Sequence, residues 1–262
     1  MNYYNQIFRR KSFHQFKNII PFTKEDIELV NNVINNVIPL DNTIKYKTHL
    51  VKETETSCKV GAEYCILFYS EKKDFYLENI GYIGEQIDLA LTSHNIGTLW
   101  CGLGKTKESS FEGLNYVIMI CISRVNESAF RNNLTSFKRK KIDKTWNGIL
   151  LPFTNAANLA PSAVNSQPWF TENINSELLI YRNLSAANFG IIPLKIMQYY
   201  NQIDMGIYLY FIEICLKHHN YTVDAVYNGQ DAYDYGLSDQ YDVILLDLMM
   251  PKKNGLDVLK DL

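Results

Sequence analysis

Residues 159–170, LAPSAVNSQPWF, carry no charge in a chain that is otherwise rich in charge and bulk. Pro161 and Pro168 stiffen the stretch, and the small residues Ala160, Ser162, Ala163 and Ser166 alternate with the hydrogen-bonding Asn165 and Gln167. Proline fixes φ, and small side chains let another group approach the backbone. The stretch therefore predicts a stiff, polar loop entering a strand at Pro168-Trp169-Phe170. Asn165 and Gln167 could offer donors and acceptors to the edge of a flat heteroaromatic ring, while Ser162 and its neighbours admit it. On these residues alone, a rigid turn before a strand fits equally well.

Outward from that loop, the hydrophobic pattern alternates between two periods. Ile83, Ile87, Ala90 and Leu91 recur on one face of a helix, with Gly97 as its expected stop. The apolar runs at 62–70 and 116–123 predict buried strands, and 176–182 predicts another. A second long helix is expected over 194–217, opened by Pro193. Strands mixed with long helices give an α+β fold of layered α/β type, a mixed sheet flanked by helices. Gln86-Ile87-Asp88 recurs as Gln202-Ile203-Asp204, each followed by an apolar helical stretch. The repeat predicts two similar halves in one chain, about 1–150 and 151–217, related by a pseudo-two-fold axis.

The 262 residues are 47% hydrophobic and 21% charged, with a formal net charge of -2. That composition belongs to a globular protein and gives no basic bias toward nucleic acid or membrane. The start, MNYYNQIFRRKSF, lacks an apolar leader, and no run approaches a bilayer-spanning length. A cytoplasmic protein is expected. Cys58, Cys65, Cys101, Cys121 and Cys215 form no CxxC pair and have no histidine at metal-ligand spacing, so buried reduced thiols and no metal site are expected.

Two basic clusters could grip a phosphate: Arg10-Lys11-Ser12, expected at the mouth of a helix, and residues 137–144, FKRKKIDK. Each alone is equally a solvated basic segment. GLGKT at 102–106 is not a P-loop, because position 99 is Leu where that motif needs Gly.

Taken together these residues resemble the nitroreductase family of flavoproteins. Its [KR]-[RK]-S signature appears as Arg10-Lys11-Ser12, its A-P-S-x-x-N-x-Q-P-W signature as 160–169, and its GYIGE helix and GTxW strand entry as 81–102. The APS motif here follows the GYIGE helix, an order similar to the internally duplicated, pseudo-dimeric branch. The resemblance implies one FMN per chain. Arg10, Lys11, Ser12, Lys138 and Lys140 would hold its phosphate, while Pro161, Ser162, Ala163, Asn165 and Gln167 would face its ring, with Trp100, Cys101, Gly102 and Leu103 nearby. It further implies NAD(P)H as electron donor, a small nitro- or quinone-like acceptor, a monomer acting as a pseudo-dimer, and no catalytic side chain beyond the flavin.

After residue 217 the texture changes to βαβα: a strand at 222–227, a helix at about 229–238, an apolar strand at 243–246, and a final helix. YDVILLDLMMPKKNG resembles the receiver domain of response regulators, with Asp247 as the phosphoacceptor-like residue. Residues 218–262 lack the receiver's acidic pair, its first strand and its later strands. A truncated, weakly ordered fragment that does not accept phosphate is expected. The alternatives to an FMN oxidoreductase are a phosphorelay protein acting through Asp247 and a flavin-fold remnant without activity.

Overall fold

The computed structural model describes residues 3–133, 137–174, 177–183, 193–221, 226, 229–237, 245–246, 253 and 255–261. In chain order these form α1 (Tyr4–Arg9), α2 (Lys24–Asn35), β1 (Tyr46–Lys52), β2 (Tyr64–Ser70), α3 (Tyr76–Ser93), β3 (Ile96–Cys101), β4 (Ser110–Phe111) and β5 (Leu114–Arg124). There follow β6 (Trp146–Gly148), α4 (Thr154–Ala157), β7 (Trp169–Ile174), β8 (Glu177–Arg182), α5 (Leu194–His218), α6 (Gly229–Gly236), β9 (Leu245–Leu246) and α7 (Gly255–Asp261). The two apolar runs are strands as expected, and the second is longer than its sequence signal.

The first sheet has the order β1-β2-β5-β3, with β4 pairing β5, and every pairing is antiparallel. Its strands are near-continuously apolar because both faces are covered. Ile66, Phe68, Ile118, Ile120 and Ile122 point into the main core with α3 and α5, while Cys65, Leu67, Tyr69, Met119 and Cys121 point into a second core with Phe13, Phe16 and Phe130. The second sheet, β6-β7-β8-β9, is mixed: β6 and β9 run parallel to their neighbours, and β7 and β8 are antiparallel.

Two boundaries differ from the sequence expectation. Gly97 does not stop α3. The helix ends at Ser93, Asn95 takes the left-handed conformation (φ 61°) that turns the chain, and Gly97 lies inside β3. Asparagine tolerates that conformation because its side chain bonds locally. Helix α2, not among the expected elements, is set by a capping box in which Thr23 and Asp26 each accept from the other's backbone N–H, and by Ile27, Val30 and Ile34 at helical spacing.

In the C-terminal segment, Leu178 and Leu179 of β8 pair in parallel with Leu245 and Leu246 of β9. The fragment, expected to lack the receiver's first strand, thus meets the edge of the second sheet. Leu179, Ala232 and Val258 form a small buried cluster beneath Tyr181, Val226 and Tyr233. Strand 222–227, apart from Val226, and Asp247 lie outside the described residues.

Helices α3 and α5 cross with backbone-to-backbone contact. A Cβ on Gly81 would lie 2.0 Å from the Ile203 carbonyl oxygen, and one on Gly206 would lie 1.8 Å from that of Glu78. Each helix therefore gives the other a glycine seat. Ala normally stabilises a helix interior over Gly by about 1 kcal/mol, but here its methyl meets backbone that cannot rotate away. Gly206→Ala is expected to cost about 3 kcal/mol in chemical denaturation. Gly113→Ala, in a turn with open space around it, serves as control at about 1 kcal/mol for its positive φ. A neutral or stabilising Gly206→Ala would contradict the close crossing.

Candidate functional site

The repeated Gln-Ile-Asp places one aspartate on each crossing helix, and both are buried. On α3, Asp88 accepts from Thr98 Oγ1 at 2.6 Å and pairs with Arg10 through Nη2 at 3.0 Å and Nε at 3.2 Å. On α5, Asp204 accepts from the Ala163 backbone N–H at 2.9 Å and faces Ser166 Oγ at 3.4 Å. The first aspartate thus fixes the segment after α1, and the second fixes the loop at 160–167. Burial pushes the Asp204 carboxyl up to about 8, against the pull of its two donors.

Arg10 is fully buried, 1% exposed. Burial alone would lower its pKa, but Asp88 and then Glu85 outweigh it and hold it raised. Its Nη2 donates to Ser12 Oγ at 3.4 Å. It is the residue that ends α1, so the basic triplet follows a helix C-terminus and does not sit at the N-terminal mouth that the sequence led one to expect. The backbone there offers carbonyls, and anion affinity must come from side chains. Lys11 turns outward and donates to the Ala129 carbonyl.

Two arginines that the sequence motifs did not single out complete a cationic cluster. Arg131 Nη1 donates to the Arg10 carbonyl. Arg139 donates through Nη2 to the Leu159 carbonyl at 2.8 Å and through Nη1 to Asn165 Oδ1 at 2.8 Å. Burial, then repulsion from Arg10, lowers Arg139 to about 9 and Arg131 to about 10. Glu85, wholly buried, is pushed well above the carboxylate range by desolvation and by Asp88. Three guanidiniums therefore gather at two carboxyl groups, Asp88 and a Glu85 that burial biases toward its protonated form, so hydrogen-bond donors and positive charge stand in excess. That donor set suits a phosphate.

Arg139 also joins the basic loop to the 159–167 loop. Asn165 Nδ2 donates to the Lys138 carbonyl at 2.6 Å. Gln167 Oε1 accepts from the Lys140 backbone N–H at 2.7 Å, and Lys140 Nζ donates to the Gln167 carbonyl at 3.0 Å. The Asn165 and Gln167 side chains thus brace the basic loop, and the Lys138 side chain is exposed. Within the loop Val164, Asn165 and Gln167 all have positive φ, at 46°, 58° and 43°. For the β-branched Val164 that is a strained backbone, of the kind that clusters at binding sites. Pro161 is buried, and the Ser162 hydroxyl accepts from the Gln167 N–H at 2.9 Å.

On the facing wall, Trp100 Nε1 donates to Glu85 Oε2 at 3.1 Å, and its ring lies over Gly84, where a Cβ would meet it at 2.3 Å. Glu85 Oε1 is buried without a hydrogen-bond partner. Tyr200 donates to the Gly102 carbonyl. Leu103 is 74% exposed, and Cys101 turns to Cys58. The structure therefore brings Arg10, Ser12, Trp100 and the loops at 137–141 and 159–167 around one cluster, while Lys11, Leu103 and Lys138 point elsewhere. Arg131 had no sequence signal beyond its charge. Arg139 stood inside the basic run, but only the fold singles it out.

The family profile described as "Putative TM nitroreductase" matches residues 2–216, and that of the response regulator receiver domain matches residues 204–262. The two share residues 204–216, inside α5. The crystal structure of a "putative nitroreductase" from Thermotoga maritima is similar at 24% identity, over 84% of this chain and 85% of that one, with a TM-score of 0.56. That likeness establishes the fold. A nitroreductase with bound FMN from Desulfitobacterium hafniense is 16% identical over 48% of this chain and 90% of that one, with a TM-score of 0.39. In sequence, the tail is 52% identical over 50 residues to the response regulator ArlR of Staphylococcus aureus. The match spans 19% of this chain and 23% of that protein, so the chain covers under a quarter of the response regulators it matches.

The Asp204 carboxyl yields a pH prediction. Its folded pKa of about 8 lies above the unfolded value of about 3.9. Between those values the folded state holds a proton that the unfolded state has lost, so stability falls as pH rises and levels off above about 8. In Asp204→Asn, which keeps the acceptor for Ala163, the pH dependence of unfolding over that window should be shallower by about one proton. An unchanged slope would mean that Asp204 is ionised in the folded protein.

Proposed function

As the chain belongs to the TM nitroreductase family, we propose that it is a cytoplasmic FMN-dependent oxidoreductase that passes electrons from NAD(P)H to a small nitro- or quinone-like acceptor. The observation that carries this reading is the crowding of Arg10, Arg131 and Arg139 where the basic loop meets the 159–167 loop. Arginines that depress one another's pKa are relieved by a dianion, and the FMN phosphate is one. Arg139 and Arg131 bind it, while Arg10, neutralised by Asp88, holds the segment through Ser12 in place.

Asp204 and the strained Val164–Gln167 backbone hold the uncharged loop toward the ring, and Trp100 closes the opposite wall from its bond to Glu85. Glu85, whose Oε1 lies 3.7 Å from Arg10 Nε without a hydrogen bond, has a pKa raised by burial that biases it toward holding a proton at that wall. When bound, FMN supplies the hydride chemistry, and no side chain is assigned as catalytic. Because segments of both halves meet in one chain, a monomer carries a whole site and binds one FMN. The receiver-like tail is assigned no phosphotransfer, since residues 218–262 supply no acidic pair ahead of Asp247.

The test separates phosphate from ring recognition. FMN should bind more tightly than riboflavin by about tenfold or more, the scale of one charge-assisted hydrogen bond. Arg139→Met should remove most of that difference and leave riboflavin binding nearly unchanged. Equal binding of FMN and riboflavin by the unmodified protein, followed by fluorescence titration, would sink the phosphate assignment. Uptake of phosphate by Asp247 from acetyl phosphate with Mg²⁺, seen by intact mass, would overturn the reading of the tail.

A further inference from the structure

Four of the five cysteines, dispersed in sequence, converge on one face of the first sheet. Cys65 on β2 lies opposite Cys121 on β5, and Cys101 at the end of β3 lies opposite Met119 on β5. Cys58, from the irregular segment before β2, lies over them. Its Sγ is 2.7 Å from Cys101 Sγ and 3.4 Å from Met119 Sδ, and Cys65 Sγ is 3.5 Å from Cys121 Sγ. The Sγ atoms of Cys58, Cys101 and Cys121 all lie within 4.8 Å of one another. The spacing in sequence, which predicted buried reduced thiols, hid this cluster.

We propose that Cys58 and Cys101 form a redox-active dithiol that a peroxide converts to a reversible disulfide. Three observations select this pair. Their sulfurs are only roughly 0.7 Å farther apart than in a disulfide bond. Cys101 is the partly exposed member of the cluster, whereas Cys65 and Cys121 are fully buried. The seat is also built for the contact: a Cβ on Gly104 would stand 2.8 Å from both Cys58 Sγ and Met119 Sδ. The surroundings are apolar, with Phe13, Leu99 and Phe130 in the same core, and a disulfide leaves them uncharged.

The Cys58 thiol is held far below its usual range, first by the hydrogen bond from Cys101 and then by those from Cys121 and Cys65. The pair thus shares one proton. The shared proton therefore lies on Cys101, and the Cys58 thiolate attacks the peroxide that enters beside Cys101; the O–O bond breaks, Cys58 becomes a sulfenic acid, and the departing hydroxide takes a proton from solvent and leaves as water. The Cys101 sulfur then attacks Cys58 Sγ, the S–O bond breaks, and the departing hydroxide takes the Cys101 proton as a second water. Two thiols are oxidised by two electrons and one peroxide is reduced. This chemistry is independent of the flavin, since it needs only the thiols and the oxidant.

Full-length protein treated with a few equivalents of hydrogen peroxide should lose two of its five thiols and regain them with dithiothreitol. Non-reducing peptide mapping should join the peptides holding Cys58 and Cys101, two hydrogens lighter. Cys58→Ser and Cys101→Ser should each abolish the joined peptide, and Cys215→Ser, which removes the cysteine outside the cluster, should retain it. The mapping needs no variant, so a misfolded mutant does not spare the idea. A Cys65–Cys121 cross-link, irreversible oxidation of Cys101 alone, or a stoichiometric thiophilic metal that protects the cluster until it is chelated would each overturn the proposal.

Discussion

The backbone contact between α3 and α5 is the constraint on which the rest depends. Gly81 and Gly206 let each helix press against the other's carbonyls, Ile203 on one side and Glu78 on the other. At that separation the helices carry Asp88 and Asp204 into the same interior, each with a different loop in its grip. A wider crossing would leave the segment after α1 and the 160–167 loop without a common reference. Buried carboxylates are costly unless bonded, and here each cost is offset by the loop it orders.

This arrangement explains why an uncharged, small-residue loop sits beside a run of lysines and arginine. The loop's polar side chains are turned largely on the protein: Asn165 and Gln167 brace residues 138–140, Ser162 closes the turn internally, and Ser166 donates to Asn201 of α5. Its open face is backbone and small side chains. Charge is delivered by Arg139, whose guanidinium reaches past the loop toward Arg10.

Much of this was legible in the sequence, for identifiable reasons. The buried strands announced themselves because both faces of the first sheet are covered, and the long helices because their apolar faces repeat at helical spacing. The Gln-Ile-Asp repeat marked the two positions that hold the site. Helix α2 carried its own signals, a Thr23–Asp26 capping box and Ile27, Val30 and Ile34 at helical spacing, although it was not among the expected elements. Arg131 and the cysteine cluster were silent because their meaning is three-dimensional: neighbours in space from β2, β3, β5 and an irregular segment share no spacing along the chain. The tail's strand could not be placed from sequence either, since its partner β8 belongs to a segment matched by a different family.

The central claim is that one chain builds one whole site from segments that meet across α3 and α5. Light scattering on a size-exclusion column, with flavin absorbance recorded on the same peak, tests it directly. The account predicts FMN co-eluting at one equivalent per chain with a species of a single chain's mass. Flavin found only on a dimer, with the monomer colourless at saturating FMN, would contradict it.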